Sequence, residues 1–514
     1  MGFHDSIMRA PRTPLAVCLS TALAVGAAAS ASAATPAENL LHRHGSGLSP
    51  LVAQLARRAA AAHATPHGTR RPEGGIVIPV TSCLDDGGTD TLRHAVLVAS
   101  SGDTIDLRGL SCSTITLAAG AIGVDVDDLT FLGAGASQMT IDAGHASRVF
   151  RHGGTGTLAL KNLTVANGSY SPTTGPLGGG CIYSAGSISM TGAVATGCTA
   201  SADGVIAGGA VLALGAVEMF GSAVTDSSLV SNNGYSSVAA AGGGVFAVGN
   251  LLFEHSVISG NTITTPTGTV YGGGGIGEAG LIAKYSTVHD NSATTTTGTM
   301  SYAIGGGVVT EGAAFVQNST FDGNSADGAG AMDLRIGSYA STLINTTISG
   351  NHARVIGGGM LADGDITIES STIAFNDSGP AGGGGLLLDG TNADLESSIV
   401  ADNTPSGTTA AADLDGSATV TGANNLIKIS GIPVPADTIT TDPQLGPLAA
   451  NGGETRTHAL PATSVAIDAG NNAAGAAFDQ RGPGFPRAAG PFSDIGAYEL
   501  DTEVIFDNGF DAGG

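Results

Sequence analysis

Between residues 242 and 376 the chain returns to one phrase: GGGVFAVGNLLFEHSVISGN at 242–261, GGGVVTEGAAFVQNSTFDGN at 305–324 and GGGMLADGDITIESSTIAFN at 357–376. Related openings stand at 178, 208, 273, 328 and 383, so successive intervals run 30, 34, 31, 32, 23, 29 and 26 residues. The phrase keeps a length of about twenty residues while the connector after it varies. A fixed core with a variable insert is the pattern of a solenoid, whose repeats bury their apolar sides only against their neighbours.

The columns say which solenoid. Aligned phrases put Val211, Val245, Ile276, Val308 and Met360 in one column. A second column holds Val224, Ile258, Val288, Phe321, Ile348, Ile373 and Ile399, and a third, two residues earlier, holds Ser222, Ser256, Ser286, Ser319, Thr346, Ser371 and Ser397. A small–x–apolar spacing has the period of two that belongs to strands, with both members facing inward. A helical repeat would need a period of 3.6, and glycine triplets would break it. The expected fold class is therefore all-β, a right-handed parallel β-helix, with handedness taken from the general preference of parallel connections. The triplets suit corners with φ > 0 and close backbone approach. Asn261, Asn291, Asn324, Asn351, Asn376 and Asn403 close six phrases, and their amides can bond from rung to rung as a structural ladder. Asparagine also tolerates the left-handed corner conformation.

Composition agrees with thin layers of small residues: 81 of 514 residues are glycine, 12% are charged, 4% are aromatic and none is tryptophan. From residue 73 onward, 12 basic residues face 41 acidic ones, a balance of −29. Such a body repels nucleic acid and anionic membranes.

The ends read differently. Arg9 and Arg12 before an apolar run to about Ala29, with Ala31-Ser32-Ala33 as cleavage site, make residues 1–33 a signal peptide. Nothing in the mature sequence reads as a transmembrane span. Residues 34–81 form a lead in which 49–63 can be a short helix, and over 34–72 Arg43, Arg57, Arg58, Arg70 and Arg71 stand against Glu38 alone. The β-helix should run from 82 to 500, starting with a cap at 82–110 whose helix begins after Thr91 and carries Leu92, Ala95, Val96 and Ala99 on its apolar side. Clear repeats fill 178–403 and a tail occupies 501–514. An even set of cysteines in an exported chain favours disulfides, and proximity in sequence suggests Cys83 with Cys112 and Cys181 with Cys198.

Three stretches carry family resemblances. SCLDDGGTDTLRHAVLVASSGDTIDL (82–107) resembles the CSLREA-type N-terminal segment of exported bacterial β-helix proteins, with His94 where that pattern has an acid. The GGG-apolar phrase, with Phe321-Asp322-Gly323-Asn324, resembles the repeats of chlamydial polymorphic outer-membrane proteins. That resemblance implies a surface-displayed passenger with adhesive roles. DPQLGPLAANGGETRTHALPATSVAIDAG (442–470), DQRG (479–482) and DIGAYE (494–499) resemble the choice-of-anchor Q domain. It implies a segment at 442–500 that follows the helix and shields its last open edge.

The parallel β-helix also hosts pectin-lyase-like enzymes, so catalysis has to be weighed. A uronate lyase must stabilise charge beside a carboxylate with calcium, arginine or lysine. Residues 178–403 offer only Lys284, Arg335 and Arg354 among 18 acids, and the Gly-His-Gly, Arg-Ile-Lys and Asn-Thr-Asp patterns of polygalacturonases are missing. Asp290, Asp322, Asp377 and Asp402 at the asparagine corner could serve a glycosidase pair, with a solvated acidic row as the plainer reading. LDDGGTD (84–90) and DVDD (125–128) could hold calcium but lack EF-hand spacing, so no cofactor is expected. Tyr170, Tyr235, Tyr271 and Tyr302 fall in Thr-rich inserts on one edge and suit a glycan or a cell-surface protein partner. The expected role is adhesion or scaffolding without catalysis, outside the cell or at its surface or outer membrane. Polysaccharide cleavage is the alternative.

Overall fold

A computed structural model describes residues 48, 75–172, 177–232, 238–296, 302–380, 382–390, 392–406 and 413–501. The chain divides into Met1–Thr35 and Pro36–Gly514, and every described residue belongs to the second unit. One coil shows how the phrase folds. Gly242 turns the corner with φ 73°. Val245–Ala247 and Asn250–Glu254 then run along one face, Val257–Ser259 along a second and Thr262–Thr265 along a third. Stacked coils give three parallel sheets of 22, 13 and 12 strands, the largest taking two strands from most coils. A small antiparallel pair, Leu448–Ala449 with Thr457–His458, lies outside the stack.

Registers are fixed by what faces inward. Val224, Ile258, Val288, Phe321, Ile348 and Ile373 lie over one another, all at 0% exposure. Each such side chain contributes roughly 1.5–3 kcal/mol by leaving water, and a slip of one residue would turn the whole set outward. Two expected column members are corrected. Ile373 lies against Val400, not Ile399, so the last serine of the third column is Ser398, not Ser397. In the other column Gly275 takes the inward seat beside Val245 and Val308, and Ile276 faces out beside Phe246. Four glycines at 272–275 shifted the phrase by one there.

The asparagine ladder is continuous. Asn261 Nδ2 donates to Asn291 Oδ1 at 3.0 Å, Asn291 to Asn324 at 3.0 Å, and Asn324, Asn351 and Asn376 each to the next at 2.9 Å. Asn403 ends the run on Asp413 Oδ1 at 3.0 Å. The glycine triplet and the asparagine belong together: a Cβ on Gly244 would lie 2.8 Å from Asn261 Cγ and 2.6 Å from the Gly274 carbonyl. The third glycine thus leaves room for the amide of its own coil. The left-handed seat is occupied by the residue before the asparagine, as at Gly260, Asp290, Gly323, Gly350, Phe375 and Asp402. The ladder asparagines themselves are not in that conformation.

At the N-terminal end α1, Leu92–Val98, begins at Thr91, whose Oγ1 accepts from the His94 amide, and buries Leu92, Ala95 and Val96. The first rung starts earlier than the boundary at 82, because Val77–Pro79 pairs with Asp103–Asp106. Disulfides join Cys83 to Cys112 and Cys181 to Cys198.

Residues 442–500 do more than shield an end. Ile439 bridges to Leu426 at the last rung, and the chain then runs back along the corner beside the 12-stranded sheet. Its handles are left-handed corner residues: Asn424 donates to Ala469, Asn345 to Phe478, and Asn318 to Asp479 and Gln480. Farther back, Glu454 meets His255 at 2.6 Å. The DQRG and DIGAYE stretches close on each other: Arg481 donates to the Glu499 carbonyl at 2.6 Å and the Glu499 amide donates to Asp479 Oδ2 at 2.8 Å, while Arg487, between the two stretches, pairs with the Glu499 carboxylate at 2.9 Å.

Candidate functional site

The outer face of the 22-stranded sheet has two halves with opposite character. In the first half, the middle residue of each short strand points outward, giving a row that includes Leu212, Phe246, Ile276, Val309 and Leu361. All five are fully buried, because the inserts return as second strands such as Thr269–Tyr271 and Tyr302–Ile304, which pair with each other beside this row. Leu48 sits in the same apolar cluster at 0% exposure. Its amide donates to the Glu311 carboxylate, 263 residues away in sequence.

Charged residues flank the row. Gly277 and Thr310 are register partners, as are Arg335 and Asp363, so Glu278, Glu311, Arg335 and Asp363 occupy successive rungs. Burial, together with the neighbouring Glu311, pushes the Glu278 carboxyl up to about 7. Burial also raises Glu311. Arg335 is 6% exposed, donates to Asp333 Oδ2 at 2.7 Å and lies 4.2 Å over the Tyr271 ring. Among the described residues Glu278 Oε2 has no hydrogen-bond partner.

This arrangement corrects the tyrosine edge. Tyr271 is 0% and Tyr302 4% exposed, turned into the seam between insert strands and sheet. Tyr170 lies under the Arg148 guanidinium, 3.3 Å from its ring centre. Tyr235 lies outside the described residues. The inserts fold back as strands, so their rings pack instead of presenting themselves. The apolar outward residues Leu212 and Phe246 were the signal that a second layer was needed.

The second half of the sheet is open. Its middle column runs Ala159, Ser189, Glu218, Leu252, Ile282, Phe315, Thr342, Thr367, Asp394, Thr421, one residue per rung. None of the ten is buried. Phe220, 36% exposed, widens the apolar centre, and Lys284 Nζ stands 5.4 Å from the Phe315 ring. Toward the C-terminal end the face turns acidic with Asp365, Glu369, Asp394 and Glu396, and burial with Glu396 and Asp394 nearby raises Glu369. Sequence reading missed this face, although the alternation in NLLFE and GLIAK points to it.

The four acids suggested for glycosidase chemistry already hold partners: Asp290 faces His289 at 2.8 Å, Asp402 faces Lys428 at 2.6 Å, Asp322 pairs with Arg456 and Asp377 with His352. The calcium candidates are also engaged. Asp85 binds Arg93 at 2.8 Å and the amides of Ala118 and Ala119, while Asp127 and Asp128 accept from Thr155 and Thr157. Among the described residues no group of three or more His, Cys, Asp or Glu side chains is placed to hold a metal ion. None of the described helices is long and apolar enough to cross a membrane.

No family model matches the chain, and no curated protein matches it. Among solved structures, the crystal structure of pectate lyase Pel9A aligns over 83% of this chain and 97% of that one, at 13% identity and a TM-score of 0.35. At that level the likeness bears no weight on chemistry, and the fold rests on the strand pairings described above.

Proposed function

We propose that this chain is an exported β-helix, displayed at the cell surface or released, that holds a neutral glycan along the open half of its large sheet and does not cleave it. The observation that carries this reading is the ten-rung column from Ala159 to Thr421 with its partly exposed apolar centre at Leu252, Ile282 and Phe315. Apolar side chains among hydroxyls suit the alternating faces of a sugar chain, and stacked rungs offer the same kind of contact repeatedly along an extended surface. The acidic balance disfavours polyanions. Export is supported by the leader-like residues 1–33, and surface display by the resemblance of the repeats and of 442–500 to exported families.

Purified protein incubated with a panel of neutral and acidic polysaccharides, scored for retention and for new chain ends, tests the proposal. Retention of a neutral polymer without new ends is expected. The double variant Ile282→Asp, Phe315→Ser should lose retention while its urea midpoint stays within the range of surface substitutions. No retention of any polysaccharide, with adhesion to cells intact, would replace the glycan by a protein partner.

A second reading has one observation in its favour. Glu278, pushed up to about 7 beside Glu311, has the form of an acid–base carboxylate pair for glycoside cleavage. New chain ends that vanish in Glu278→Gln would establish it over the first.

A further inference from the structure

From residue 73 onward the chain has 12 basic residues among 41 acids, and eight of the 12 pair with a carboxylate. The other four are Arg148, Arg151, Lys161 and Lys284, which have no carboxylate partner among the described residues. Two of these four stand together. Arg151 and Tyr183 are register partners on adjacent rungs, about 4.8 Å apart along the stack. The Arg148 guanidinium lies 3.3 Å from the Tyr170 ring centre and 5.5 Å from that of Tyr183. Its Nε donates to the Gly179 carbonyl at 2.9 Å and its Nη2 to the Gly178 carbonyl at 2.7 Å. Tyr183 is 3% exposed, and among the described residues its hydroxyl has no hydrogen-bond partner. Burial lowers Arg148 and raises Tyr183 from their ordinary values, and the charge of Arg151 pulls both down. An acidic body thus holds two cations side by side without a counter-ion, next to a buried hydroxyl that lacks its bond.

We propose that Arg148, Arg151, Tyr170 and Tyr183 form a site for a single oxyanion, the carboxylate or phosphate group of a small ligand. A guanidinium offers an oxyanion two parallel donors, which is the part of Arg151, and the Tyr183 hydroxyl adds a third. Arg148, fixed by two carbonyls and the Tyr170 ring, supplies charge. The fold leaves room at this place. The outward row of the large sheet runs Leu212, Tyr183, Arg151, Gly123 toward the N-terminal end. Leu212 and Tyr183 are buried, Arg151 is exposed, and a Cβ on Gly123 would meet only open space. Gly123 also lines a mostly apolar hollow of about 270 Å³ with His94, Leu97 and Ile122, which can take the rest of the ligand. The balance of −29 from residue 73 onward repels polyanions, so the occupant carries one anionic group and not a series of them. The site lies on the other half of the sheet from the open column and does not depend on what that column binds.

Calorimetric titration of the full chain with inorganic phosphate, acetate and a hexose 6-phosphate tests it. Saturable binding of at least one probe, at one site per chain, is expected, and it should weaken as ionic strength rises. Arg151→Gln should weaken that binding about tenfold or more, and Tyr183→Phe by a smaller factor. Lys161→Gln removes an unpaired cation outside the site and should leave binding unchanged. Because Arg151 is exposed, its variant should keep the urea midpoint of the unaltered chain. Equal affinity for phosphate and the hexose phosphate would support the oxyanion alone as ligand, and tighter binding of the hexose phosphate would support a larger ligand seated in the hollow. No saturable binding of any probe would overturn the proposal. So would binding that survives Arg151→Gln, or that falls equally with Lys161→Gln, since diffuse attraction would then account for it.

Discussion

Asn351 accepts the Asn324 amide at 3.0 Å and the Asn324 Nδ2 at 2.9 Å, and it donates to Phe321 O and Asn376 Oδ1, each at 2.9 Å. At 1% exposure none of these groups can turn to water instead. Asn351→Ala should therefore cost about 3 kcal/mol, because it strands buried donors and an acceptor rather than merely losing one bond. Equilibrium urea unfolding checks this. Glycine substitutions should separate by cause. A Cβ on Gly274 would lie 2.7 Å from the Gly307 carbonyl and 3.0 Å from Asn291 Cγ, whereas Gly350, with φ 63°, has open space around it. Gly350→Ala should cost about 1 kcal/mol of left-handed strain, and Gly274→Ala clearly more, since backbone must move. A shared value for the two would refute the separate roles. At this scale the sequence showed which positions recur, including every ladder asparagine. It could not show that the left-handed seat precedes the asparagine, because Asp290, Phe375 and Asp402 occupy it without a glycine's signature.

The returning segment 442–500 is the element whose behaviour the rungs do not dictate. Arg487 is fully buried and bonded to Gly496 O, Asp494 O and Glu499 Oε2. Arg487→Leu leaves Glu499 charged without its partner and should loosen the segment by about 3–5 kcal/mol, while exchange in the ladder strands changes little. Acid should act on the same segment through His458, bonded to Ser349 Oγ at 2.8 Å and Gly446 O at 2.7 Å. Burial lowers its pKa from 6.5, so below that pH the unfolded segment binds more protons than the docked one. Docking therefore weakens as pH falls through 6.5 and His458→Gln removes the effect. Asp494 and Glu499, raised mainly by burial, act with the opposite sign, their contribution fading as pH rises through their folded values. Exchange of 442–500 measured between pH 5 and 7 reads the histidine contribution, and no change across that window would refute it. The motifs here were legible as a segment after the helix. Their destination was not, because the handles are single polar corner residues scattered over rungs far apart in sequence.

For the whole molecule, the period of the apolar columns fixed the parallel stack, and the slips at Ile276 and Ile399 came where an extra glycine or serine blurred the phrase. The functional faces were harder to read, since outward residues obey no core and the inserts that cover half the sheet look like loops. Everything said of the open face requires that consecutive coils lie in register at one strand spacing. Spin labels on that face test this most directly. Ser189 and Thr367 occupy the same column six pairings apart, through Glu218, Leu252, Ile282, Phe315 and Thr342. With cysteines at both positions, pulsed electron resonance should give a single narrow distance near 29 Å, and moving the second label to Asp394 should add about 4.8 Å. A broad distribution, or a distance that does not grow by one rung with that move, would contradict the stack.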